Sequence, residues 1–221
     1  MTRHPIATLM PAAPLLVLLL AGGAHGQDLV TNGGFESVVV LPDVTIQVGW
    51  FNGPAYSSSE AFAHSGDRSV ALTDHAPLLG GIFQDIQLTP DLTPGTTLIL
   101  RGFAYYESTN PLATSDDSAS MGVEFFDAND DSVGPGGEVL FFDWALGGNT
   151  PDAWLERELE IVIPENATSL SVGLFLNHDQ FSGDGVVYFD DVSLRPVPAP
   201  GTAALLGLGA LTATRRRRLA A

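Results

Sequence analysis

The sequence predicts an all-β fold, a β-sandwich of the jelly-roll kind, set between two terminal segments of different character. Three observations predict it. Residues 169–176 read Ser-Leu-Ser-Val-Gly-Leu-Phe-Leu, with apolar side chains at Leu170, Val172, Leu174 and Leu176, the period of two of a half-buried strand. Similar short runs rich in β-branched and aromatic residues recur along the chain. Between them fall turn signals built from the abundant glycines and prolines, 24 and 15 in 221 residues, with no convincing helical periodicity.

In chain order the expected strands are Ile46–Trp50, Ser69–Thr73, Ile82–Leu88, Thr97–Tyr106, Met121–Asp127, Val139–Trp144, Leu155–Ile163, the 169–176 run and Val186–Leu194. They are separated by Ser65-Gly66-Asp67, Thr93-Pro94-Gly95, Gly134-Pro135-Gly136-Gly137, Gly147-Gly148-Asn149 and Ser182-Gly183-Asp184-Gly185, each a set of residues that enter tight turns at low cost. Ala153–Glu160 is open to a helical reading, but Ile161-Val162-Ile163-Pro164 favours a strand. About nine strands without helices make a sandwich, and 27–196 reads as one domain without internal repeat or linker.

Residues 1–26 have the layout of a secretory signal peptide: Arg3 and His4, an apolar run from Leu15 to Ala21, then Ala24 and Gly26 at the small-residue positions before a cleavage near Gln27. The apolar run is short of the about 20 residues that a permanent span needs. Residues 197–221 begin Val197-Pro198-Ala199-Pro200-Gly201, continue through an apolar stretch from Thr202 to Thr214, and end in Arg215, Arg216, Arg217 and Arg218. Proline stops the preceding strand, the apolar stretch can enter a bilayer, and the arginines hold its end on the cytoplasmic side.

All 26 acidic residues lie from Asp28 to Asp191, where only Arg68, Arg101, Arg157 and Arg195 oppose them; lysine is absent. Such a domain repels nucleic acid and anionic lipid and tolerates divalent cations and neutral partners such as sugars. With no cysteine, disulfides, thiolate nucleophiles and Cys-ligated metals are excluded.

The order Pro198-Ala199-Pro200-Gly201, apolar segment, arginine cluster resembles the PEP-CTERM sorting signal of exopolysaccharide-forming Gram-negative bacteria, with Ala199 where that motif has glutamate. The resemblance implies transient insertion in the inner membrane, cleavage by an exosortase-type protease, and delivery to the cell surface or extracellular matrix. Within the domain, Leu29-Val30-Thr31-Asn32-Gly33-Gly34-Phe35-Glu36, Ala63–Val70, Ile82–Ile86 and the closing Val187-Tyr188-Phe189-Asp190-Asp191-Val192-Ser193-Leu194 resemble carbohydrate-binding modules of the galactose-binding-like jelly-roll fold. That resemblance implies a structural calcium held by Glu36 and Asp190 with loop oxygens around Gly66 and Asp67; Asp191 falls on the opposite face by strand alternation. Turn-capping or solvated carboxylates remain the alternative.

Asp127, Asn129, Asp131 and Glu138 have EF-hand-like spacing, but Ser132 stands where the loop needs glycine and strands flank it, so a hairpin with a polar turn is the better reading. Sugar sites stack aromatic rings on pyranose faces and place polar groups on the hydroxyls. Among Trp50, Tyr56, Tyr105, Tyr106, Trp144 and Trp154, the candidates taken forward are Tyr56, Tyr106 and Trp50. No His-x-x-x-His, His-Glu-x-x-His or Gly-x-Ser-x-Gly is present, and His64, His75 and His178 read as loop or surface residues. The expectation is a non-catalytic, surface-sorted, carbohydrate-binding domain. Its alternatives are a structural or adhesive matrix protein and a secreted glycan hydrolase.

Overall fold

A computed structural model describes residues 26–42, 45–52, 56–73, 80–109, 118–134, 140–145, 151–177 and 185–197. These hold β1 (Val38–Val40), β2 (Thr45–Gln47), β3 (Phe51–Asn52), β4 (Tyr56–Ser59), β5 (Ser69–Thr73), β6 (Gly80–Gln87), β7 (Thr97–Tyr105), β8 (Ser118–Phe126), β9 (Ser132–Val133), β10 (Leu140–Ala145), β11 (Leu155–Val162), β12 (Ser169–Asn177) and β13 (Val186–Pro196). The expected all-β sandwich is what they form. One sheet has six strands in the order β10-β8-β12-β6-β3, with β9 also on β8; the other has five, β11-β7-β13-β5-β4; β1 and β2 make a separate hairpin. Every pairing is antiparallel.

The period-two patterns decide which side of each sheet is core. On β7, Leu98, Leu100 and Ala104 are buried while Ile99, Arg101 and Tyr105 alternate with them. On β12, Leu170, Val172, Leu174 and Leu176 are buried, and their register partners on β8 and β6, including Val123, Met121 and Ile82, bury with them. Facing residues of β5 and β13 (Val70, Leu72, Val187, Phe189) close the core from the other sheet. Burying this many aliphatic side chains, at about 1.5–3 kcal/mol each, gives the domain its cohesion without cross-links.

The opening motif is tied to the last strand. Asn32 adopts φ +53°, a conformation asparagine tolerates, and its side chain bonds Ser37 and Val48. Gly33 accepts the Val192 amide, and the buried Gln84 of β6 exchanges two hydrogen bonds with the Thr31 backbone.

Differences from expectation are local. The expected Ile46–Trp50 strand ends at Gln47, the last residue of β2, because Gly49, at φ +84°, allows a turn closed by the Trp50 amide on the Gln47 carbonyl, and β3 starts after it at Phe51. Tyr56, expected in a loop, lies on β4. Asp127–Asp131 is the polar turn of the β8–β9 hairpin: Asp127 Oδ1 accepts from the Asn129 and Asp131 amides, which hold that carboxyl below its usual range. Glu138, His75 and His178 lie outside the described residues, as do the side chain of Trp144, residues 1–25 and the sorting residues Pro198, Ala199, Pro200, Gly201 and Arg215–Arg218.

Candidate functional site

The outer faces of the two sheets differ in how they are finished. On the five-stranded sheet a loop, residues 60–68, folds back over β7 and β13. Phe62 stacks on Tyr105 with centroids 4.6 Å apart and tilts against Tyr188 at 4.9 Å. The His64 ring stacks on Phe103 at 3.7 Å and meets the edge of Trp154 at 5.5 Å. These outward aromatics therefore serve the loop as a second, smaller core.

Two carboxylates hold the loop down. Asp190, fully buried, accepts the His64 amide at 2.7 Å and the Ser65 amide at 3.1 Å on Oδ2, and the Asp191 amide on Oδ1. Burial pushes its carboxyl up to about 6, against the pull of the three N–H groups and with some help from the Asp191 charge. Glu36 Oε1 accepts the amides of Asp67 and Arg68.

The expectation that Asp191 faces away is corrected. A β-bulge shifts the register between Asp190 and Ser193 and puts Asp191 at φ +49°, so alternation lapses there. Asp191 reaches the same loop, with Oδ2 2.6 Å from His64 Nδ1 and Oδ1 accepting the Ser65 hydroxyl at 2.8 Å. Both side chains bond the same carboxylate, which is not the serine-on-histidine relay that nucleophilic catalysis requires.

For the expected metal residues Glu36, Asp67 and Asp190, the fit to calcium is poor. Calcium takes 6–8 oxygens, whereas the loop presents N–H donors to Glu36 and Asp190, and Asp67 contributes its amide. Among the described residues no three acidic or histidine side chains gather as around a cation.

Beside the bulge an open cleft of about 550 Å³ runs along this sheet, lined by residues that include Ile99, Arg101, Phe103, Asp191 and Arg195. Three ion pairs within the protein engage charges of its lining: Arg101 with Glu156, Arg195 with Asp28 and His64 with Asp191.

The six-stranded sheet exposes aromatic rings by contrast. Phe51 is 64% exposed and Phe83 37%, and the two are register partners on β3 and β6. Phe175 of β12 meets Phe83 edge to face at 5.1 Å. Glycines make room for the rings: a Cβ on Gly173 would lie 2.5 Å from the Phe175 ring and 3.1 Å from Phe83, and one on Gly81 would lie 3.1 Å from Phe175. The register runs Phe51–Phe83–Gly173–Gly122 across four strands, and the next row is Asp85–Ser171–Glu124. The result is a phenylalanine platform bordered by a hydroxyl and two carboxylates.

The aromatic candidates taken from the sequence lie elsewhere and are more buried than expected of ligand-stacking rings. Tyr106 is 0% exposed and Trp50 4%; Trp50 packs on Phe35 at 5.3 Å and donates its indole N–H to the Asn32 carbonyl. Tyr56 packs against the core with its hydroxyl on the Thr45 carbonyl. None offers a free ring face. The signal for these exposed rings lay in the alternation itself, because Phe83 and Phe175 occupy outward positions of strands whose other face is aliphatic.

Comparison with protein-family models and with curated proteins finds no match. Solved structures do match. A family 16 carbohydrate-binding module aligns over 75% of this chain and 98% of its own, with TM-score 0.52 and 17% identity. A family 61 carbohydrate-binding module, solved with β-1,4-galactotriose, aligns over 77% and 99%, with TM-score 0.50 and 15% identity. The enzymatically active domain of tailspike protein 4 from bacteriophage CBA120 aligns over 77% of this chain but 21% of its own, with TM-score 0.53 and 14% identity. At such identities the likeness is one of fold: the chain has the jelly-roll sandwich of these carbohydrate-binding modules.

Proposed function

We propose that the domain is a non-catalytic carbohydrate-binding module that receives a polysaccharide on the outer face of its six-stranded sheet, within an exported, surface-sorted protein. The observation that carries this reading is the platform of Phe51, Phe83 and Phe175 on its bed of glycines. Solvated aromatic rings on a rigid sheet are costly to leave bare and suited to the apolar face of a pyranose, while Asp85, Ser171 and Glu124 in the adjacent row can take hydroxyls. The fold shared with carbohydrate-binding modules supports it. Export and sorting are supported by the character of residues 1–26 and 197–221.

Affinity electrophoresis of the secreted protein through gels containing different polysaccharides tests this reading, and its mass reports cleavage near Gln27. Retardation by at least one polysaccharide is expected, reduced about 2- to 10-fold in affinity by Phe83→Ala with little change in melting temperature. Equal retardation of wild type and variant would move the site elsewhere.

One observation favours a second reading, a structural or adhesive matrix protein. Val39, Val40 and Leu41, with Val48 nearby, leave an exposed apolar patch on and beside the β1–β2 hairpin, the kind of surface proteins dock on. Unretarded migration of the folded protein through the whole panel would favour it.

A further inference from the structure

Charge is sorted between the two sheets as sharply as aromatic exposure. The strands of the six-stranded sheet, β3, β6, β8, β9, β10 and β12, contain no arginine, lysine or histidine. All four arginines of the domain belong to the other side: Arg101, Arg157 and Arg195 on β7, β11 and β13, and Arg68 bonded to Ser58 of β4 and paired with Glu60.

The acidic groups of the platform face are well placed. Asp85 follows the buried Gln84, and Glu124 lies between the buried Val123 and Phe125, so both point outward. The register Asp85–Ser171–Glu124 sets them two strand spacings apart, about 10 Å, in the row beside Phe83. Neither has a hydrogen bond or ion pair with another described residue to offset its charge. A glycan lying on the phenylalanines runs past two solvated carboxylates with no cation on any strand of that sheet.

Taking this face as the glycan site proposed above, we infer that it selects polysaccharides bearing free amino groups and rejects those bearing uronate or sulfate. A protonated amino sugar keeps the apolar face that stacks on phenylalanine and adds a positive charge within reach of Asp85 or Glu124. An anionic sugar meets like charge beside strands that carry no cation. Neutral glycans fall between.

Three oligomers of one β-1,4-linked backbone isolate the charge: cello-oligosaccharide, fully deacetylated chito-oligosaccharide and oligoglucuronate. Titration calorimetry at about pH 5.5, where amines are protonated and ordinary carboxylates ionised, should rank them amino, neutral, uronate. The first step should be about tenfold and should shrink as salt screens the charges. Asp85→Asn with Glu124→Gln should bring amino and neutral ligands within about twofold, because the local field is removed. Glu158→Gln with Glu160→Gln, on the other sheet, makes the same change in net charge and should leave the ranking intact. Neutral and amino oligomers binding equally to wild type would overturn the inference while sparing the site. Equal collapse in both double variants would overturn it too, by tracing the effect to net charge. Failure of all three, and of every polysaccharide in the broader panel, would remove the site and the inference together.

Discussion

The two sheets of this sandwich have the same inner construction and opposite outer ones. Outside the five-stranded sheet, aromatic rings are covered by the 60–68 loop and arginines are paired. Outside the six-stranded sheet, Phe51 and Phe83 are exposed, and Asp85 and Glu124 have no ion pair with another described residue. The comparison separates aromatic residues that serve folding from those left free for a partner. What distinguishes them is whether the chain supplies its own cover.

The strongest test of the covered face is its buried anchor. Asp190→Ala leaves the amides of His64, Ser65 and Asp191 without their acceptor, and should cost on the order of 3 kcal/mol in denaturant unfolding. Ligand binding on the opposite sheet should survive in the folded fraction. The pH dependence follows from the raised carboxyl. Asp190 keeps its proton up to about 6 in the folded protein but only to about 3.9 when unfolded. The folded state thus binds the extra proton between these values, and the stabilisation, complete below about pH 4, is lost as pH rises through about 6. Melting temperature should climb as pH falls from 7 to 5, and Asp190→Asn should flatten the climb. Bound calcium would keep the carboxylate ionised and reverse the slope, so a chelator that leaves the pH 7 melting temperature unchanged would remove calcium from the account.

On the open face the corresponding break is smaller in stability and larger in function. Gly173→Ala places a methyl 2.5 Å from the Phe175 ring. Because that ring is partly solvated it can swing aside, and the conformational entropy that alanine removes from the unfolded chain, worth about 0.4–1 kcal/mol, offsets part of the cost. Melting temperature should move by only a few degrees. Affinity for the retarding polysaccharide should fall about as far as in Phe83→Ala, since the edge-to-face pair that levels the platform is lost. Unchanged affinity would show that Phe175 is not part of the platform.

How much of this was legible in the sequence follows the same division. Alternation is a local signal, so β5, β7, β11, β12 and β13 were readable within a residue or two, and so was the polar turn at Asp127. The meeting of Glu36 and Asp190 at the 65–67 loop was expected from the resemblance, but the part of Asp191 in it was not, because the bulge there changes the phase of the strand through a single left-handed residue. The burial of the ligand candidates was hidden for a related reason: Tyr106, Trp50 and Tyr56 were weighed by residue type, whereas exposure depends on which face of which sheet each joins. Phe83 and Phe175 were visible as outward positions. That the loop covers Tyr105 and Tyr188 while Phe51 stays exposed is a property of tertiary packing alone.

The smallest effect sharpens the comparison most. Arg101 and Glu156 form a 2.6 Å ion pair on the covered sheet, both about half exposed, and Arg101 lies over the Phe103 ring at 5.2 Å. If exposed ion pairs held the 60–68 loop, Glu156→Gln would rival Asp190→Ala. In water such pairs contribute little, about 0–1 kcal/mol, and the guanidinium keeps its place over the ring. Glu156→Gln should therefore shift stability by less than about 0.5 kcal/mol, or 1–2 °C in melting temperature. A loss of 2 kcal/mol or more would mean that the covered face is held by its surface charges, and that pairing the arginines there is a condition of the fold rather than a consequence of it.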